Sequence, residues 1–168
     1  HKVIVSQAAL DSAGSYKICF RSLSERPAYD AVPGSTQSRT YPFDPMPTDR
    51  APVFYCSSDQ HNDKAYTTSI AKYKSFDVYV LGGDYSGKLT EDTYVKLMLD
   101  MAGGVTQGRK PTIYTRGNHE VRGAQSHNLY RVSGYSEETG PYYTIKMPGI
   151  FAIVLDAGED KVDSHEEY

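Results

Sequence analysis

Three short stretches hold the side chains best suited to chemistry. Asp59 and His61 stand one residue apart in SSDQHND, Asp84 follows two glycines in GGDYSG, and Asn118 and His119 are adjacent in RGNHE. Carboxylate, imidazole and amide oxygen are hard or borderline donors, so the set suits Mn, Fe, Zn, Co or Ni rather than an ion that prefers thiolates. Each stretch also has a plain structural reading. Asp59 could cap a following helix, Gly83-Asp84 could be an ordinary turn, and Asn118 could adopt a left-handed conformation after Gly117. Their recurrence, one after each of three apolar runs, argues for a shared role.

Those runs are the elements that must position the donors. PVFYCS, FDVYVL at 76–81 and PTIYT read as buried strands. Between the first two, Tyr66, Ile70 and Tyr73 fall at i, i+4, i+7 and predict a helix. Between the second and third, Thr90 can cap a helix with an apolar stripe of Tyr94, Leu97, Met98 and Met101, closed by Gly103 and Gly104. YYTIKM and IFAIVLD, joined by Pro148-Gly149, predict a hairpin. Alternating strands and helices imply an α/β fold with a largely parallel sheet, in which ligands gather at the carboxyl ends of the strands. All five candidates then lie along one edge of that sheet.

The first 48 residues read differently. HKVIVS and SYKICFRS alternate apolar and polar residues like half-buried strands, with AALDSAG as a polar turn between them. From Ser24 to Pro52 the chain carries Pro27, Pro33, Pro42, Pro45 and Pro47, which predicts no regular element. The expected division is 1–48, the tail of a β-sandwich domain plus a linker, and 51–168, part of a catalytic domain. The chain reads as a fragment of a longer protein.

DQH at 59–61, GGD at 82–84 and GNHE at 117–120 together resemble the first three signature blocks of the calcineurin-like metallophosphoesterases. The resemblance spans about residues 51–168, and the first strands resemble a fibronectin- or immunoglobulin-like domain that precedes the catalytic domain in bacterial members. It implies an αββα sandwich, of which this chain holds the first half, and hydrolysis of phosphoric mono- or diesters with two divalent transition metals. Asp59 and His61 would hold the first metal, Asp84 would bridge both, and Asn118 would bind the second. His119 would contact the phosphoryl group and protonate the leaving oxygen, as an imidazole is suited to do. Arg116 is a candidate phosphate contact, with a plain salt bridge as the competing reading. Purple acid phosphatases differ: they carry D-x-G in the first block and a metal-binding Tyr where this chain has Gly87. The family's later G-H-x-H block is absent; His127 reads as a solvated residue in a helical segment, and His165 matches neither missing histidine. The rival reading is a non-catalytic scaffold, or a surface or carbohydrate-binding module with a vestigial metal site.

Composition narrows the classes. An apolar fraction of 39%, a charged fraction of 23% and a net charge of −3 describe a globular chain with no electrostatic footprint for nucleic acid. No apolar run approaches the roughly 20 residues of a membrane span. Fifteen Tyr with no Trp, and the resemblance to envelope proteins, point to an extracytoplasmic location. Cys19 and Cys56 sit in apolar runs and read as buried free thiols. Half a sandwich would leave a sheet face open to self-association.

Overall fold

The computed structural model describes residues 3–25, 32–90 and 93–156. The chain divides into two units, Val5–Pro45 and a larger one built from His1–Ile4 and Met46–Tyr168. Among the described residues, no helix is long and apolar enough to cross a membrane.

The smaller unit holds helix α1 (Gln7–Ala13) and an antiparallel ribbon of β1 (Ser15–Glu25) and β2 (Val32–Pro42). Three expectations fail here. AALDSAG is helix rather than turn: Ser6 caps it by accepting from the Ala9 N–H, and Gly14 ends it in a left-handed conformation. The described part of HKVIVS is not a strand. The Pro-rich stretch, expected to be irregular, contains all of β2, because its prolines Pro33 and Pro42 stand at the ends of the strand and leave VPGSTQSRTYP free to pair. Pro27 and His165 lie outside the described residues. Cys19, expected to be buried, is exposed, as are Ile18 and Phe20 beside it; among the described residues of this unit, the two-stranded ribbon has no second sheet to pack against.

In the larger unit, β3 (Phe54–Ser57), β4 (Val78–Leu81) and β5 (Thr112–Tyr114) form a parallel sheet in that order. Helices α2 (Lys64–Ile70) and α3 (Thr93–Thr106) connect them. The hairpin of β6 (Tyr143–Met147) and β7 (Ile150–Val154) turns at Pro148-Gly149 as expected, with Gly149 at φ +74°. The strand pleat divides the core in two. Tyr79, Leu81 and Tyr114 face Met98, Met101 and Val105 of α3, together with Tyr85, Leu89, Leu129 and Tyr135. Val78 and Ile113 join Met46 and Val154, with Val80, Ile145 and Met147 packed around them. Tyr143 ties the hairpin to the sheet: its hydroxyl accepts from the Tyr114 N–H and donates to the Tyr114 carbonyl, closing the free side of β5.

Both predicted helices exist, with altered details. The stripe expected to bury α2 faces outward: Tyr66 is 65% exposed and Tyr73, beyond the helix, 92%. Thr67 and Ala71 face the core instead. Small side chains suffice because α2 lies close to α3, where a Cβ on Gly104 would stand 2.9 Å from Thr68 Oγ1. That close approach accounts for glycine at 104 but not at 103, where a Cβ would meet nothing within 4 Å; α3 runs past both, against expectation, to Thr106, with Gln107 and Gly108 taking the positive φ of the exit turn. Cys56, on edge strand β3, is exposed rather than buried.

Candidate metal centre

The loops after β3, β4 and β5 are laced together by main chain before any side chain is considered. Asp59 N–H donates to Gly83 O at 3.1 Å, His61 N–H to Asp84 O at 3.0 Å and Asn62 N–H to Tyr85 O at 2.8 Å. To keep this pairing while turning, the chain holds Asp59, His61, Asn62 and Asp84 at φ between +42° and +76°. Non-glycine residues rarely occupy that region, and such strain concentrates where side chains must be aimed. Asp59 does not cap α2; Asp63 does, accepting from the Tyr66 N–H. Asn118 is right-handed at φ −72°, not left-handed.

Gln60, between Asp59 and His61, points inward and is 8% exposed. Its amide donates to Ser57 Oγ at 2.6 Å, and Ser57 Oγ lies 2.7 Å from the Tyr79 hydroxyl. Burial pushes that phenol up to about 12. The D-x-H stretch is therefore pinned at its middle residue, which frees the two flanking side chains.

The β4 and β5 loops meet at glycines. A Cβ on Gly83, already at φ +89°, would fall 2.5 Å from Gly117 N; one on Gly117 would fall 2.2 Å from Asp84 Oδ1. No side chain fits at either position, which explains the glycine before Asp84 and the one before Asn118. The contact lets Asp84 Oδ1 accept from the His119 N–H at 3.0 Å. Glu120, fully buried, accepts from the N–H groups of Asp84, Gly117 and Ser86. Burial pushes its carboxyl up to about 7, against the opposing pull of those three donors.

The result is one cluster. His61, Asp84 and His119 each offer a ligand atom, and the three atoms lie within 4.8 Å of one another. The rings of His61 and His119 meet edge to face at 4.6 Å between centroids. His119 Nδ1 lies 2.8 Å from Gly87 O, an acceptor, so Nδ1 carries the proton and Nε2 the lone pair. Arg122 Nη1 stands 3.1 Å from both ring nitrogens of His119, over the ring rather than in line with either. Two imidazoles and a carboxylate fit one divalent transition ion.

Other sequence-predicted residues stand apart. Asp59 is not one of the three converging groups; it is exposed and lines a cleft of about 290 Å³ with Tyr55, Ser57, Gln60, Asp63 and Tyr66. Arg116 forms a partly buried ion pair with Asp156, the plain salt-bridge alternative. His127 is exposed in a 3-10 turn, Ser126–Arg131. Glu120, Gln60 and Arg122 were not singled out from the sequence. A carboxylate directly after a candidate histidine was the available signal for Glu120. No protein-family model and no curated protein matches the chain.

Proposed function

We propose that the larger α/β unit is part of a calcineurin-like metallophosphoesterase domain and that the chain serves metal-dependent hydrolysis of phosphoric esters. The observation that carries the reading is the convergence of His61, Asp84 and His119 where three consecutive parallel strands end. His61 and Asp84 would hold the ion, and Asp84 with Asn118 are the side chains here for the second ion that the family uses. A divalent ion, when bound, polarises a phosphoryl oxygen and acidifies a bound water.

The chain's own residues supply orientation and a proton. Glu120 and the two glycines fix Asp84 against the β5 loop. His119 is held at Nδ1 by the Gly87 carbonyl, so a second proton taken up at Nε2 is the one that the imidazolium can pass to the leaving oxygen. The test is hydrolysis of p-nitrophenyl phosphate and bis(p-nitrophenyl) phosphate by the chain supplied in turn with Mn, Fe, Zn, Co and Ni. Release that depends on metal and disappears on chelation supports the reading; metal-loaded protein that hydrolyses neither ester counts against it.

A further inference from the structure

Glu120 is neither a ligand nor the proton carrier of the proposed chemistry. It follows His119 directly, yet it is 0% exposed. Its Oε2 accepts from Asp84 N–H at 2.6 Å and from Gly117 N–H at 2.9 Å, while Oε1 lies 3.4 Å from Ser86 N. The donors belong to two loops, Asp84 and Ser86 after β4 and Gly117 after β5. One side chain thus bridges the loops where Asp84 and His119 leave the backbone. Around it the loops touch through Gly83 and Gly117 with no room for a Cβ on either.

We infer that Glu120 is the positioning residue of this centre, setting the separation of Asp84 and His119 by gathering the main-chain N–H groups of both loops on one carboxylate. The inference rests on reading the cluster as a metal site. Glutamine tests it at constant volume. Its single oxygen can serve Asp84 and Gly117, but its NH2 then meets the Ser86 N–H donor to donor; the reverse orientation abandons the other two. Aspartate keeps both oxygens on a shorter arm.

The experiment titrates the wild type, Glu120→Gln and Glu120→Asp with Co2+, followed by visible absorption, at a temperature where circular dichroism shows all three folded. Amide hydrogen exchange over the β4 and β5 loops is measured in parallel without metal. The expected result is Co2+ affinity weakened about 10- to 100-fold in Glu120→Gln, part of it recovered in Glu120→Asp, and faster exchange at Asp84 and Gly117. A purely structural role would lower the melting temperature and leave the affinity of the folded chain unchanged. Wild-type affinity with wild-type exchange in Glu120→Gln overturns the inference. If the wild type takes up no Co2+, the metal reading fails separately, and exchange alone decides: accelerated exchange supports the bridge, unchanged exchange overturns it.

Discussion

At the residue scale, the account turns on how a few side chains share one small volume. His119 is given the proton and not the metal, the role that the resemblance implies, with its Nδ1 held by Gly87 O. His119→Ala is therefore expected to lower turnover by about 10²- to 10⁴-fold, the range for a general acid, while metal content stays at the wild-type level. Loss of metal in that variant would make His119 a ligand. Gly117→Ala should act through crowding alone, since its Cβ would fall 2.2 Å from Asp84 Oδ1. It is expected to cost about 1–3 kcal/mol of stability in urea unfolding and to weaken metal binding, because Asp84 must move; wild-type stability would contradict the packing described. That His61, Asp84 and His119 converge was legible because Asp, His and Asn recur after apolar runs, whereas Asp59 from the same pattern stands outside the group. Gln60 and Glu120 were not, because what they do depends on main-chain groups brought near by folding, such as Asp84 N, which is 36 residues from Glu120.

At the scale of elements, the site depends on three strands ending in register. Asp77, just before β4, helps set that register: it accepts from Val53 N–H ahead of β3 and pairs with both Nη atoms of Arg50. The Arg50 guanidinium holds its carboxyl down at about 2, against an ordinary 3.8. A depressed carboxylate stabilises the fold above its ordinary range, and that contribution disappears as pH falls from about 3.8 through about 2. Asp77→Asn is expected to be less stable than wild type at neutral pH and to lose less on acidification, measured as urea midpoints down to about pH 2; parallel curves for both proteins would contradict this. The strands, α3 and the hairpin were legible from periodicity. The orientation of α2 was not, because its apolar stripe competes with close helix packing at Gly104, and small Thr67 and Ala71 face inward. Strand β2 was hidden by its prolines, which stand at its ends and cost no ladder bond in its middle.

At the scale of the whole molecule, each unit carries apolar surface of its own. Phe151 and Ile153 line one side of β7, with Leu155 just beyond its end, at 64%, 62% and 67% exposure, and Ile18, Phe20 and Leu23 lie open on β1. Contiguous exposure of this kind favours association, so sedimentation velocity is expected to show weight-average mass rising with concentration, and a monomer at all concentrations would contradict it. The coarse α/β class was legible from the alternation of elements. The sidedness of the core was less so, because VYVL is apolar at every position and only packing shows which residues face the helices and which the hairpin. The central claim is that the ends of β3, β4 and β5 bring a metal site together around Asp84. The most direct measurement is elemental analysis of the purified chain beside Asp84→Asn, which removes the charge and keeps the shape. The account predicts stoichiometric manganese, iron, zinc, cobalt or nickel in the wild type and none in the variant; a wild type that takes up no metal from excess, or a variant that retains it, would contradict the account.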